Sequence, residues 1–248
     1  MKAIHKILIY CLVLILGCAV ESNHVDIKGD SVNMADKSIA DLSPEKTVPK
    51  IAEEEYLLIK NILNDYGSYI QKYSKRYGFD WKLILSIIKQ ESNFAMGAES
   101  HKGALGLMQI MPNTGRALAS ELNLEEVISP RNNISAGIYY LWKLSESFEN
   151  ADDNNKLKLT LASYNCGLLR VQSAQDIVRY HEGDPNDWAL VSDALTKLSK
   201  ENSNLHVQVW NKIAPPSGYF DNASQPIGYV NNITRFYNTY KNKLNHYY

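Results

Sequence analysis

A glutamate occupies a position where an aliphatic side chain would be expected, near the end of a strongly apolar helical segment. In the segment that begins at Trp81, Ile84, Ile87 and Ile88 recur with helical spacing, and the next position of the series is Glu91. Burial disfavours the charged form of a carboxylate, and the negative end of a helix dipole acts in the same direction, so both predict a raised pKa for Glu91. A carboxylic acid that stays protonated near neutral pH is suited to general-acid cleavage of a glycosidic bond. The spacing alone also fits a glutamate that ends its helix in solvent.

The residues that follow Glu91 favour the catalytic interpretation. From Glu91 to Pro112 the chain matches the pattern E-S-x-F-x-x-x-A-x-S-x-x-G-A-x-G-L-M-Q-x-M-P. This pattern resembles the catalytic segment of the soluble lytic transglycosylase (SLT) family. The resemblance implies a mainly α, lysozyme-like domain of the goose-type lysozyme and SLT kind, with Glu91 as its catalytic acid.

Three later segments resemble the same family. Residues 133–141 match N-I-x-x-G-x-x-Y-L, and residues 163–167 (SYNCG) are similar to the motif A-Y-N-A-G. Tyr229 matches the tyrosine of an E-T-x-x-Y-V-x-x-I segment, although Gln225-Pro226 replaces its Glu-Thr pair. The polar support that the Glu-Thr pair would give is therefore not implied for this chain.

One branch of the family, membrane-bound lytic murein transglycosylase F, is the most similar. Its G-x-D-P-x-x-W turn is similar to the segment that runs from Gly183 to Trp188. That branch often has Pro-Gly-His after the A-Y-N-A-G motif, where this chain has Leu168-Leu169-Arg170, so the role of that histidine does not carry over. The chain also has no room for the solute-binding-like domain of the full-length F-type proteins.

The resemblance assigns further residues to a sugar-binding cleft. It implies hydrogen bonds from three polar residues to the sugar or the reacting region, and an adaptable apolar wall from two methionines. Tyr164 would lie beside the acid, Asn165 would support the cleft, and Gly103 and Gly106 would let the backbone approach the glycan. The complete predicted set is catalytic Glu91 and substrate-binding Ser92, Ser100, Met108, Gln109, Met111, Tyr164, Asn165 and Tyr229.

The supply of carboxylates near Glu91 bears on the mechanism. Glycosidases usually use a pair of carboxylates, whereas Glu99 is the only other acid between Ser92 and Leu118. The resemblance likewise implies a single acid, which protonates the β-1,4 oxygen between N-acetylmuramic acid (MurNAc) and N-acetylglucosamine (GlcNAc). The resulting carboxylate then deprotonates the muramic C6 hydroxyl, which attacks C1. The implied product is a 1,6-anhydroMurNAc end, and no metal or cofactor is needed.

Three other functions fit parts of the same pattern. A goose-type lysozyme-like hydrolase of murein would share the fold and the acid but would release reducing ends. A chitinase-like enzyme would act on a glycan that lacks lactyl groups. A non-catalytic peptidoglycan-binding lipoprotein would need no acid, and the presence of Glu91, Ser92 and Gln109 argues against it.

Composition and charge restrict the partners of the chain. Its 248 residues are 45% hydrophobic and 21% charged, with a formal net charge of −1, which is ordinary for a globular protein. No basic excess points to nucleic acid. The resemblance implies that the partner is the peptidoglycan glycan strand, and we predict that a monomer binds it. Cys166 is the only cysteine after Cys18, and its small neighbours predict a buried packing role rather than a nucleophile.

The N-terminus resembles a bacterial lipoprotein signal. Lys2 and Lys6 precede an apolar run too short to span a bilayer, and residues 15–18 (ILGC) resemble a lipobox. We predict a signal peptide over residues 1–17, a lipidated Cys18 with a flexible tether over 18–49, and an SLT catalytic domain over 50–248. This organisation predicts a lipid anchor in the bacterial envelope, at the periplasmic face of the outer membrane. An ordinary signal peptide with incidental cysteines is the alternative.

Apolar periodicity predicts the helices that position these residues. One long helix or two should begin near Ile51, and Asp80 should cap the helix that leads to Glu91. Further helices are predicted over about 113–122 and 132–148, over a segment that ends at Gly167, over two segments separated by residues 183–185, and from Pro226 onward. Residues 201–225 are predicted to be a loop-rich cover on one side of the cleft. Gly137 is predicted to allow the backbone of another helix to approach closely.

Overall fold

The computed structural model describes residues 52–244. Over these residues nine α-helices are joined by loops and two 3₁₀ turns, and the bridges Glu99–Leu105 and Leu105–Ile110 are isolated. The predicted mainly α fold is therefore confirmed for this part of the chain, in which no helix is both long and apolar enough to cross a bilayer. The predicted signal peptide, the predicted lipid site at Cys18 and the predicted tether lie outside the described residues.

The helices follow one another in the order of the chain. They are α1 (Glu53–Arg76), α2 (Trp81–Ser92), α3 (Pro112–Leu122), α4 (Pro130–Ser145), α5 (Asp153–Cys166), α6 (Leu168–Tyr180), α7 (Trp188–Thr196), α8 (Ser203–Trp210) and α9 (Ser224–Lys243), with 3₁₀ turns at Glu146–Phe148 and Lys200–Asn202.

Helix α2 is the central element of the fold. The carboxylate of Asp80 caps it by accepting a hydrogen bond from the backbone N–H of Lys82 at 2.9 Å, as predicted. All residues from 83 to 88 are buried, so the middle of α2 is enclosed on every side. The helix ends at Ser92, because Asn93 adopts a left-handed conformation with φ 48°. Glu91 therefore lies in the last turn of a buried helix.

Helix α2 is held in place by two other helices. Helices α1 and α9 pack directly against it, and α9 also packs against α5. The Tyr237 hydroxyl on α9 donates a hydrogen bond to the Asp80 carboxylate at 3.1 Å, which joins α9 to the start of α2. On α4, the predicted inward positions Ile134, Ile138 and Leu141 are all buried. The acid-bearing helix is thus fixed by elements that come both before and after it in the chain.

The segment predicted to be loop-rich, residues 201–225, is partly helical, so that prediction was wrong for residues 201–210. Helix α8 forms there because His206 is completely buried, with its two ring nitrogens 2.8 Å from the Lys197 carbonyl oxygen and 3.2 Å from that of Ile213. The Trp210 indole also donates a hydrogen bond to Asp176 on α6 at 3.1 Å. These tertiary contacts stabilise a helix that is too short to show a clear periodic pattern.

Gly137 permits a close contact, but not the predicted one. A Cβ atom at this position would lie 2.5 Å from the Sδ atom of Met108. The partner is therefore a methionine side chain from the loop between α2 and α3, rather than the backbone of another helix.

Candidate active site

The loop between α2 and α3 is held in shape by its own backbone. Leu105 and Ile110 exchange two N–H···O=C hydrogen bonds of 3.0 Å, and the Gly106 N–H donates to the Ala98 carbonyl at 2.8 Å. The Ser100 hydroxyl accepts a hydrogen bond from the Ala104 N–H at 2.9 Å. Gly106 has φ +77°, a conformation that glycine adopts without strain. The loop is therefore a defined wall beside Glu91.

Asn133 on α4 anchors this loop to the helical core. Its side chain is completely buried, and its amide group donates to the carbonyl oxygens of Leu105 and Val127, each at 3.0 Å. Its Oδ1 atom accepts a hydrogen bond from the Met108 N–H at 2.8 Å. A Cβ atom at Gly106 would lie 2.6 Å from the Asn133 Nδ2 atom. The glycine thus makes room for Asn133, whereas the sequence suggested that it makes room for the glycan.

Glu91 is paired with a tyrosine from the far end of the chain. The Tyr229 hydroxyl on α9 donates a 2.5 Å hydrogen bond to the Glu91 Oε1 atom, and Tyr229 is only 5% exposed. Burial raises the pKa of Glu91 from its ordinary value of 4.5 to about 7, and the Tyr229 hydrogen bond opposes part of that rise. The Glu91 residue keeps partial access to solvent. It is therefore an acid that can hold its proton near neutral pH and still be reached from outside.

Tyr164 on α5 joins the acid to the loop. Its hydroxyl donates a hydrogen bond to the Met108 carbonyl oxygen at 2.8 Å, and its ring packs 5.5 Å from that of Tyr140. Burial, with a smaller contribution from Glu91, holds the pKa of Tyr164 well above its usual range. The structure thus brings Glu91, Tyr164 and Tyr229 together, although they lie on three different helices.

The other predicted cleft residues differ in how far a ligand can reach them. Met111 is 43% exposed, whereas Met108 is completely buried and therefore supports the loop from inside instead of forming open wall. Ser92 is also buried, and its hydroxyl donates to the Ile88 carbonyl oxygen at 3.0 Å. Sequence reasoning assigned Met108 and Ser92 to sugar contact, and in this structure both have packing roles.

The two predicted amide side chains, Gln109 and Asn165, differ in their hydrogen bonding. The Gln109 amide group donates to the Ala98 carbonyl oxygen at 3.0 Å and to that of Gly106 at 2.9 Å, so it braces the loop while remaining partly exposed. The Asn165 Oδ1 atom is buried and has no hydrogen-bond partner among residues 52–244. Asn165 therefore keeps an unused acceptor next to Tyr164.

Cys166, the residue after Asn165, has the environment of a packing residue. It is buried, and burial raises the pKa of its thiol to about 11. The thiolate is the nucleophilic form, so the predicted packing role fits its environment.

Among residues 52–244, no other carboxylate contributes to the pKa shift of Glu91. Burial and the Tyr229 hydroxyl are the only causes of its pKa shift, and Glu99, the nearest acid in sequence, is exposed. Retaining and inverting glycosidases place their two carboxyl groups within about 10 Å of each other. The arrangement therefore supports chemistry with one group that acts first as acid and then as base.

Replacing Tyr229 with Phe should shift the pH profile of the acid. The lost hydroxyl stabilises the Glu91 carboxylate, so its removal should raise the pKa of Glu91 further, by about one unit. The pH at which activity falls to half on the alkaline side should rise by the same amount. Tyr237→Phe is the matched control, because it removes a hydroxyl that binds Asp80 at the other end of α2. A profile for Tyr229→Phe that is unchanged or shifted to lower pH would contradict the assignment.

Glu91 should also make the folded protein less stable as the pH rises. Its pKa is about 7 in the folded state and 4.5 as an ordinary side chain, so the unfolded chain loses this proton first. The stabilising contribution is complete below pH 4.5 and is lost as the pH rises to about 7. Glu91→Gln should therefore gain stability relative to the wild type between these values, by up to about 3 kcal/mol. Urea unfolding at pH 4 and pH 8 measures this gain, and an equal difference at both pH values would contradict it.

The sequence of this chain is similar to those of known proteins. The profile of the family "Transglycosylase SLT domain" matches residues 68–185. Membrane-bound lytic murein transglycosylase F from Desulfosudis oleivorans is 33% identical over 175 residues, which cover 70% of this chain and 36% of that protein. Membrane-bound lytic murein transglycosylase F 1 from Alkalilimnicola ehrlichii is 31% identical over 173 residues, which cover 69% of this chain and 32% of that protein. The chain thus spans about a third of the length of these relatives.

A solved structure shares the fold. The crystal structure of an inactive Glu-to-Gln mutant of lytic transglycosylase Slt from Pseudomonas aeruginosa matches with a TM-score of 0.50 and 24% identity. The match covers 73% of this chain and 24% of that one. The predicted lysozyme-like helical fold of the SLT kind is confirmed by this likeness and by the family profile.

Proposed function

We propose, from the premise that residues 68–185 of this chain belong to the transglycosylase SLT family, that the protein is a peptidoglycan lytic transglycosylase. It cleaves the β-1,4 bond between MurNAc and GlcNAc without water and leaves 1,6-anhydroMurNAc ends. The catalytic residue is Glu91, and the remaining predicted set of Ser92, Ser100, Met108, Gln109, Met111, Tyr164, Asn165 and Tyr229 forms or supports the cleft. The proposed catalytic domain is the segment 50–248.

The observation that carries the proposal is the position of Glu91 in the last turn of the buried helix α2, where Tyr229 donates a 2.5 Å hydrogen bond to it and burial raises its pKa to about 7. An acid with this pKa holds its proton often enough at neutral pH to donate it, and its carboxylate is basic enough to take one back. In the first step the Glu91 carboxyl protonates the glycosidic oxygen, and the bond from that oxygen to C1 of MurNAc breaks. Positive charge then develops on the MurNAc ring, beside the newly formed carboxylate.

The second step uses a nucleophile from the substrate. The Glu91 carboxylate accepts the proton of the MurNAc C6 hydroxyl while O6 forms a bond to C1. The proton donated in the first step is thus recovered, no water is consumed, and the bond broken is balanced by the bond formed. Since no second carboxylate contributes to the pKa of Glu91 in the described residues, a nucleophile within the substrate fits the site better than a water activated by a second acid.

Product analysis on purified sacculi tests this function. Mass spectrometry should detect muropeptides with MurNAc ends that are lighter by one water than the hydrolytic product. Reducing MurNAc ends instead would identify a goose-type lysozyme-like hydrolase. Binding to sacculi without any soluble product would identify a non-catalytic peptidoglycan-binding protein.

The proposed site of action is the bacterial envelope. The relatives from Desulfosudis oleivorans and Alkalilimnicola ehrlichii are named as membrane-bound, and residues 15–18 of this chain resemble a lipobox. We propose a signal peptide over residues 1–17, a lipid on Cys18 and a tether over 18–49, which together place a monomeric enzyme at the periplasmic face of the outer membrane.

Replacing Cys18 with Ala should release the protein from the membrane fraction, because the thiol that carries the lipid is lost. Fractionation of cells followed by immunoblotting measures the change. Cys11→Ala is the matched control and should leave the protein in the membrane fraction. A Cys18→Ala protein that stays with the membrane would show that another anchor operates.

A further inference from the structure

A polar groove runs along α6 outside the candidate active site. It encloses a cavity of about 570 Å³ and is lined on α6 by Leu169, Gln172 and Asp176, with Asn150 and Asn186 on the facing turns. We call this the α6 groove. None of these five residues belongs to the predicted cleft.

The lining of the groove suits a neutral, hydrogen-bonding ligand. The side-chain amides of Asn150 and Gln172 are exposed and form no hydrogen bond within residues 52–244. An amide offers a donor and an acceptor side by side, which matches the hydroxyl and acetamido groups of a sugar. The charges of Asp176 and Arg179 are paired at 2.8 Å, so the groove has little net charge with which to select an ion.

Apolar surfaces lie between these polar groups. Leu169 is an exposed hydrophobic residue at one end of the groove, and Pro185 and Pro216 form part of its wall. A pyranose ring presents C–H groups as well as hydroxyls, so mixed surfaces of this kind are suited to it. Polar amides and apolar patches therefore alternate around one cavity.

One residue that lines the groove, Ser173, belongs to a cluster of unpaired buried polar atoms. Ser173 lines the groove, is 1% exposed, and its hydroxyl has no hydrogen-bond partner. Of the five such atoms in residues 52–244, four belong to the junction of α5 and α6, namely Ser163 Oγ, Asn165 Oδ1, Arg170 Nε and Ser173 Oγ. Buried polar groups are normally paired, and unpaired ones tend to mark functional positions. The wall of the groove thus contains one unpaired hydroxyl, that of Ser173.

The groove also begins near the predicted cleft. Leu169 follows Asn165 by four residues, so their Cα atoms are at most about 15 Å apart. From Leu169 the groove extends along α6 to Arg179, a further length of about 15 Å at the helical rise. A polymer bound at Asn165 therefore needs to extend by at most about 15 Å to reach the Leu169 end of the groove.

We propose that the α6 groove is a second saccharide-binding site, which holds an N-acetylated stretch of glycan strand away from the bond that is cleaved. This inference rests on the proposed function for the identity of the polymer. Its consequence is selectivity for long strands, because a short oligosaccharide that fills only the cleft gains nothing from Gln172 or Asn150.

Nuclear magnetic resonance on the Glu91→Gln protein tests the site directly. Titration with chitotetraose, a soluble GlcNAc tetramer, should shift the side-chain amide signals of Asn150 and Gln172 in addition to signals around Glu91. Shifts confined to the surroundings of Glu91 would overturn the proposal. This experiment needs no turnover, so its outcome is independent of whether the protein is a lytic transglycosylase.

Kinetics with the double variant Asn150→Ala, Gln172→Ala test the consequence. The loss of two neutral hydrogen bonds should raise the KM for sacculi by about tenfold and leave the turnover of short oligosaccharides unchanged. Gln208→Ala, an exposed amide on α8, is the matched control. A double variant that digests sacculi like the wild type would overturn the groove and leave the proposed function intact.

A third substrate tests whether the groove binds the glycan strand or the stem peptides of peptidoglycan. Glycan strands freed of stem peptides by an amidase should show the same tenfold effect as intact sacculi. An effect that appears only when stem peptides are present would show that the groove binds peptide, and it would overturn the saccharide proposal.

Discussion

Replacing Glu91 with Gln should lower the rate of murein cleavage by at least 10²–10⁴-fold, the order of magnitude that general-acid catalysis contributes. The loss should be greater if the same group also accepts the proton of the C6 hydroxyl. The variant should fold normally, because the Tyr229 hydroxyl can donate to the amide oxygen as it does to the Glu91 Oε1 atom. Release of soluble muropeptides from sacculi measures the rate.

Glu99→Gln is the matched control for this experiment. Glu99 lies on the loop that follows α2 and is exposed. The substitution should therefore leave the rate of murein cleavage within a small factor of the wild-type rate. A Glu91→Gln protein that digests sacculi at the wild-type rate would remove Glu91 from the mechanism. A folded Glu91→Gln protein without activity would leave the proposal standing.

Replacing Asn133 with Ala should destabilise the domain by about 3–5 kcal/mol. The substitution leaves the Met108 N–H and the Val127 carbonyl oxygen without their partner and removes one of the two donors to the Leu105 carbonyl oxygen. It also opens a cavity in a completely buried region. Because these contacts also hold the loop beside Glu91, cleavage should fall even at temperatures where the variant is folded. Urea unfolding at constant pH measures the change in stability.

Asn132→Ala is the control for Asn133→Ala. Asn132 is next in sequence, but it is only partly buried and binds Glu126 near the surface. Its loss should cost about 1 kcal/mol or less. Equal destabilisation by the two substitutions would contradict the anchoring role of Asn133.

The sequence was most informative about features whose residues lie close together in the chain. The isoleucine series, the capping Asp80 and the polar residues after Glu91 all lie within one short segment, so their spacing predicted α2 and the position of its acid. The family resemblance extended this prediction to the fold. Elements with a clear helical period, such as α4 and α9, were also predicted near their observed bounds.

The partners of the acid depend on contacts that no local pattern encodes. Tyr229 lies 138 residues from Glu91 in sequence, and its direct hydrogen bond to the carboxylate could be found only from the packing of α9 on α2. Asn133 was recognised only as one position of a scaffold motif. A polar residue inside an apolar helical stretch is the signal that could have marked it as an anchor.

A shared motif also does not separate sugar contact from packing. Met108 and Ser92 match the catalytic pattern, yet both side chains are buried. The Met108 side chain packs against Gly137, and the Ser92 hydroxyl donates a hydrogen bond to the backbone of α2. The prediction of a loop over residues 203–210 was wrong, because the burial of His206 stabilises a helix that is too short for a periodic signal. In both cases tertiary burial decided the outcome.

The position of α9 in the chain has a consequence for how the protein matures. This helix leaves the ribosome after every other described helix, yet it covers α2 and supplies the hydroxyl that Glu91 binds. Until residues 224–243 have docked, Glu91 lacks the Tyr229 hydroxyl and α2 lacks the cover that α9 provides. We therefore expect a nascent chain to gain its buried, hydrogen-bonded acid, and with it the proposed cleavage activity, only when α9 docks in the last stage of folding.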